Sequence, residues 1–183
     1  MEEIEVPVEQ IQEEIHHHAI HATPQESWFS QVALSSALLA AFAAISALLS
    51  GHHANEAMID QLKSSDHWSH YQAKAIKASI LSSRLSVLEA LGKPVAEKDA
   101  EKSKQYEDDQ AEISAEARKE EAESKIHLAT HQILARAVTF FQIAITIGAI
   151  AILTKRRRFF LASLVLGGLG VLFLIQSFFV HVA

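Results

Sequence analysis

The residues of this chain best suited to chemistry are its histidines, eleven in 183 residues. His16, His17, His18 and His21 lie close together near the N-terminus, His52 and His53 are adjacent, His67 and His70 are three apart, and His127 and His131 are four apart. Imidazoles three or four residues apart on one helix face can share a Zn or Cu ion. Contiguous ones radiate around the axis, so only some of the N-terminal four can share a face. The candidate metal set is His52, His53, His127 and His131, which a chain folding back on itself would gather. The competing reading is that paired imidazoles near a membrane surface sit there as amphipathic rings. No Cys is present and no HExxH run occurs, which removes thiolate nucleophiles, disulfides and Cys-based metal sites. A Gly-rich phosphate loop and a nucleophile–base constellation are also missing, so the expectation is a non-enzymatic protein with no catalytic residue and no cofactor.

The elements that must position these histidines follow from the charge distribution. Acidic residues occupy positions 1–26 and 51–131, whereas three long windows carry no Asp, Glu, Lys or Arg. These are the 29 positions between Glu26 and Glu56, the 18 between Arg136 and Lys155, and the 25 after Arg158. A helix needs roughly 20 apolar residues to cross a bilayer, so three crossings are expected. A soluble fold of this size could not bury FFLASLVLGGLGVLFLIQSFFV, which is apolar on every face. Within the lipid-crossing stretches of these windows the polar residues include Gln142, Gln176 and a few Ser and Thr, without an ionisable group, which argues against a transporter or proton pump. A net charge of −6 argues against nucleic acid as a partner.

The expected organisation is an acidic, His-rich amphipathic segment at 1–23 and a first transmembrane helix at 24–50. An extramembrane helical hairpin follows at 51–136, then a second transmembrane helix at 137–154, a basic turn at 155–158 and a third transmembrane helix at 159–181. The N-terminus reads as a retained anchor rather than a cleaved signal peptide, because MEEIEVPVEQ carries no Lys or Arg. Thr23, Pro24 and Glu26 form a capping box with Pro at the first helical position, and Trp28 falls where an interfacial aromatic belongs. Small residues recur at or near small-xxx-small spacing: Ala33, Ala37 and Ala41; Ala40, Ala44 and Ala47; Ala144 and Gly148; Ser163, Gly167 and Gly168, with Gly170 beside them. Such faces let helices approach closely in lipid, either within one bundle or between subunits.

In the middle segment the helix-breaking cluster Leu91-Gly92-Lys93-Pro94 falls at the centre, so the turn is expected near 92–94. Two antiparallel arms of about 42 residues would each reach on the order of 60 Å. That register sets His53 opposite Leu134. The expected seam on the first arm is Ile59, Leu62, Ser69, Ala73, Ile76, Ile80, Ser83, Val87 and Ala90. Leu81, Leu85, Leu88 and Leu91 form a second apolar stripe, more than one partner helix covers, which points to association with another subunit or partner. Lys155, Arg156, Arg157 and Arg158 should hold their short turn on the cytoplasmic side. The N-terminus is then cytoplasmic, and the hairpin and C-terminus periplasmic.

One run carries a likeness to a known family. Trp68-Ser69-His70-Tyr71-Gln72-Ala73-Lys74-Ala75-Ile76-Lys77 resembles the W-x-x-Y-Q-A-K-x-x-K run of the bacterial membrane proteins grouped as domain-of-unknown-function family 4337. The likeness covers nearly the whole chain and implies the same fold, but no activity. On the residues alone, Trp68, Tyr71, Gln72, Lys74 and Lys77 are either a partner-docking patch or a cover for the seam with lysines paired to the opposite arm. The expected fold is therefore all-α, an integral membrane protein with three transmembrane helices and a long coiled-coil-like hairpin between the first and second. The expected role is a membrane scaffold or accessory subunit of a cytoplasmic (inner) membrane, in contact with the lipid bilayer and either homo-oligomeric or part of a larger membrane complex. The alternative is a His-dependent metal- or haem-binding sensor or carrier at the periplasmic face.

Overall fold

The computed structural model describes residues 24–94 and 96–180, with side chains from Trp28 onward. The N-terminal amphipathic segment, its four histidines, Thr23 and His181 lie outside the described residues. The described chain is all helical, with no strand: α1 is Pro24–Ala90, α2 is Glu97–Thr154 and α3 is Arg157–Ser177. All three are long and apolar enough to cross a membrane.

The helix ends have plain local causes. α1 stops in a Schellman motif, with Gly92 in the left-handed region at φ 63°, the Gly92 amide on the Glu89 carbonyl and the Lys93 amide on the Leu88 carbonyl. α2 ends in the same pattern, the Lys155 amide on Ile152 and the Arg156 amide on Ala151. Here a lysine takes the left-handed conformation, at φ 54°. That conformation costs a non-glycine residue roughly 1–2 kcal/mol. The non-helical link is shorter than the expected basic turn of four residues, because Arg157 and Arg158 already belong to α3.

The chain divides into two compact units, one ending at Ile45 and taking in Arg136–Phe173, the other comprising Ser46–Ala135 and the segment from Leu174. In the first, parts of all three helices pack together. Trp28, Val32 and Ala151 form a buried cluster flanked by Phe29, Ile152 and Phe160. Deeper in the sequence of α2, Phe141 is fully buried, stacked on Phe42 with ring centroids 6.0 Å apart. The close approaches are made by small residues of α2 and α3. Ser163 donates to the Ala144 carbonyl at 2.7 Å, and Gly148 sits against Ser36 and Ser163. Gly167 faces Leu39, and Gly170 faces Phe141. The expected small faces on α2 and α3 thus pack within this unit, apart from Gly168, which has open space around it. On α1 the opposite holds: Ala33, Ala37, Ala41, Ala40, Ala44 and Ala47 are exposed, and Trp28, Val32 and Leu39 make the buried face. Larger side chains gain more dispersion contact against the glycines opposite them.

In the second unit, residues of α1 and α2 pair in antiparallel order. Ser50 meets His131, His53 meets His127, Ser64 meets Ala117, and Arg84 meets Asp99. His53 therefore does not face Leu134, as equal arms about residue 93 would require; the pairing is displaced by more than a turn. The reason lies in the link. Lys93, Pro94 and Ala96 are non-helical, and an extended residue advances up to about 3.3 Å against 1.5 Å in a helix. Equal arms about residue 93 assume helix up to the turn on both sides, whereas α1 ends at Ala90 and α2 begins at Glu97.

Candidate functional site

The contact face of α1 in the second unit is polar as well as apolar. Ser50, His53, Ala57, Asp60, Ser64, His67, Tyr71, Lys74, Ala78, Leu81, Leu85 and Leu88 follow alternating steps of three and four, and every one is buried or half-buried. The expected seam lies on the other side. Ile59, Leu62, Ile76, Ile80 and Val87 are 44–66% exposed, whereas Leu81 is 8% exposed. The two stripes have exchanged roles, so Leu81, Leu85 and Leu88 pack toward α2 and the isoleucine–valine stripe is the outer one.

Small residues and hydrogen bonds decide this. Ser64 Oγ donates to the Ala117 carbonyl at 2.9 Å, and Ser124 Oγ donates to the Ala57 carbonyl at 2.8 Å. A serine reaches a backbone oxygen on a neighbouring helix only if the two axes lie close together. Ala57 and Ala117, 7% and 0% exposed, permit that approach. The His131 Nδ1–H donates to the Ser50 carbonyl at 2.9 Å, since a carbonyl can only accept, and Ser50 Oγ donates to the His131 carbonyl at 3.3 Å. His131 is thus a pin across the seam.

Of the four candidate metal histidines, the structure brings two together. His53 Nδ1 and His127 Nδ1 are 2.8 Å apart with ring centroids 5.1 Å apart. His131 is engaged with Ser50, and His52 is exposed, its ring beside that of His53. Next to the pair, His127 Nε2 is 3.9 Å from Oδ2 of the buried Asp60. Ligand oxygens of Asp60, Glu120 and Glu123 all lie within 4.8 Å of one another. Lys63 reaches this group from the rim, 3.0 Å from Asp60 Oδ1 and 3.5 Å from Glu120 Oε2. The hydrogen bond to Asp60 raises the Lys63 pKa above its ordinary value, with desolvation acting against it and Glu120 adding to it. Apolar spacing on the first arm does not point to these carboxylates; the three–four spacing from Ser50 to Leu88 passes through Asp60, while Glu120 and Glu123 belong to α2.

The aromatic–lysine run is divided by the same geometry. Trp68 and Tyr71 are half-buried and packed edge to face at 5.5 Å. Lys74 pairs with Asp109 of α2 and lies 5.7 Å over the Tyr106 ring. Gln72 and Lys77 are exposed, and Lys77 lines a groove with Ile80, Arg84, Asp99, Lys102 and Tyr106. Lys155, Arg156, Arg157 and Arg158 are all exposed; Arg156, Arg157 and Arg158 form a basic recess.

Residues 28–180 match the family model described as Domain of unknown function (DUF4337). No curated protein matches the chain, and no solved structure matches it.

Proposed function

Since the chain belongs to this family, whose description assigns no activity, we propose from its own residues that it is a non-enzymatic membrane scaffold or accessory subunit that associates with further copies of itself or with a larger membrane complex. In this reading residues 24–50, 137–154 and 159–181 cross the cytoplasmic membrane, and 51–136 form a helical hairpin outside the lipid. The carrying observation is the outer stripe of Ile59, Leu62, Ile76, Ile80 and Val87. Lipid would cover apolar side chains within a crossing, but these lie among charged residues such as Lys63, Asp66, Lys77 and Arg84. Large apolar side chains exposed at helical spacing on a polar helix mark an interaction surface. The exposed alanine faces of residues 33–47 agree with a neighbouring helix in the membrane.

Size measurement of the full chain in mild detergent tests the association. The expected result is an oligomer or a larger co-purifying assembly. The doubly substituted Ile76→Lys, Ile80→Glu chain is expected to lose that assembly while keeping its helicity, because both positions point away from α2. A wild-type monomer with nothing bound to it would remove the proposal.

Orientation rests on the basic residues after Thr154. Lys155 occupies a backbone conformation that glycine adopts without strain, yet it brings a fourth positive charge to the link. The proposed topology has this link and the N-terminus in the cytoplasm, and the hairpin and C-terminus outside. An alkaline phosphatase fused after Ala183 is expected to be active and a fluorescent protein there dark; the reverse pattern would invert the topology.

A further inference from the structure

We propose that Arg156, Arg157 and Arg158, at the link between α2 and α3, hold the phosphate of one anionic phospholipid whose headgroup carries no cation of its own. This site rests on the reading that α2 and α3 both cross the membrane, which sets their link at the lipid surface. It owes nothing to the outer stripe.

Charge at the start of α3 supplies the first argument. Lys155 and the three arginines are consecutive and exposed, and among the described residues every ion pair lies elsewhere. Arg157 and Arg158 occupy the first turn of α3, which contains no acidic residue. The free amides of a first turn form the positive end of the helix dipole, where anions are favoured and cations are not. Four side-chain charges thus crowd a positive helix end, with no carboxylate among the described residues to offset them. An anion bound there removes that repulsion, and guanidinium groups donate to its oxygens.

Shape and surroundings supply the second. Arg156, Arg157 and Arg158 line a recess of about 540 Å³, a size met in small-ligand sites and ample for a phosphate with its headgroup. Apolar surface borders it in sequence on both sides: Leu153 is 82% exposed and Leu161 is 62% exposed. Trp28 lies edge-on to Phe160, with ring centroids 6.3 Å apart, and is an aromatic of the kind that marks the headgroup level. Its Nε1–H is enclosed and has no acceptor. A ligand with an anionic head and acyl chains matches a basic recess bordered by exposed leucines, whereas an inorganic anion would use the recess alone.

The headgroup class follows from charge and side-chain type. A zwitterionic lipid brings an ammonium that these cations repel, so a phosphodiester with a neutral alcohol headgroup is favoured. Arginine presents a planar fork that can give a phosphate two parallel hydrogen bonds, whereas lysine offers a point charge. Three forks on successive residues differ in this from the diffuse attraction of any basic segment to an anionic surface.

Native mass spectrometry of the full chain, released from detergent after titration with phosphatidylglycerol, reads bound lipid and subunit number together. One retained phosphatidylglycerol per chain is expected, with phosphatidylcholine retained far less. The triple variant Arg156→Lys, Arg157→Lys, Arg158→Lys keeps every charge and is expected to weaken retention about tenfold, because the forks are lost. The corresponding Arg→Gln triple variant should abolish retention, and Lys155→Gln, outside the recess, should preserve it. Far-UV circular dichroism of each variant separates lipid loss from unfolding. Equal retention of the two lipids by the parent chain, or a folded lysine variant that holds phosphatidylglycerol as the parent does, overturns the proposal. Displacement of the lipid by equimolar inorganic phosphate would also overturn it, by giving the recess to a soluble anion. Monomers that keep the lipid would remove the association reading and leave this site standing, and an assembly without lipid would do the reverse.

Discussion

Ala117→Leu is expected to separate α1 from α2 along the seam and to lower the thermal midpoint of helix loss by on the order of 10 °C, whereas Ala115→Leu two residues earlier is expected to change little. Ala117 has no exposed surface, and its carbonyl accepts the Ser64 hydroxyl. Forcing extra methylenes into a closed contact costs about 1–3 kcal/mol. The wedge would also stretch the Ser64–Ala117 bond and its neighbour Ser124–Ala57, each contributing about 0.5–1.5 kcal/mol net. In a chain of this size, roughly 2–4 °C accompanies each kcal/mol. Ala115 is exposed, so leucine there meets solvent. The measurement is ellipticity at 222 nm against temperature for the two variants side by side. Equal midpoints would show that the close approach at Ala117 carries no stability.

That contrast also marks where sequence reading succeeds and fails in this protein. The three apolar windows are legible because charge is absent from them for long runs, and the all-helical character follows from the same runs and from the propensities between them. Which face of a helix makes contact is much less legible. Ile59, Leu62, Ile76, Ile80 and Val87 look like a coiled-coil seam by spacing and apolarity, yet they are the outer stripe. Residues that hydrogen-bond or pair across the interface, Ser64, Asp60, Lys74 and His131, win the inner face instead. Apolar periodicity has no means of scoring a serine that reaches the opposite backbone. Polar seam residues count against a seam in such a reading, although here they are what joins the helices.

The alanine stripes of α1, exposed rather than packed within their unit, are ambiguous for a different reason. In water an exposed apolar face carries a cost that tells which side of a helix is inward. In lipid that cost vanishes, since acyl chains are as apolar as the side chains. Small spacing at Ala33, Ala37 and Ala41 is therefore compatible with contact and with exposure alike. On α3 it coincides with contact because bulky partners, Phe141 and Leu39, stand opposite Gly170 and Gly167, and on α2 Gly148 is met by Ser36, Ser163 and Val32. The metal candidates show the same limit: His52, His53, His127 and His131 are a sensible set by number, but only the pairing register selects His53 and His127. That register depends on how far a short non-helical link advances, which no periodicity encodes.

Two glycines of α3, two residues apart, give the second large effect and its own control. Gly170→Ala is expected to destabilise the chain by about 1–3 kcal/mol, while Gly168→Ala is expected to be neutral or to stabilise by up to about 1 kcal/mol through helix propensity. A Cβ on Gly170 would stand 2.7 and 2.8 Å from two carbons of the Phe141 ring, closer than carbon atoms tolerate. Phe141 cannot swing aside, because it is fully buried and stacked on Phe42. A Cβ on Gly168 meets nothing within 4 Å. Gly167 lies between these extremes. Its Cβ would stand 2.7 Å from Leu39 Cδ2, the far end of a flexible side chain, so Gly167→Ala should cost less than Gly170→Ala. Denaturation of the three variants in detergent, monitored by loss of helicity, is expected to rank them Gly168, Gly167, Gly170 in increasing cost. A Gly170→Ala chain as stable as the Gly168→Ala chain would mean that α3 does not pack on Phe141 in this register.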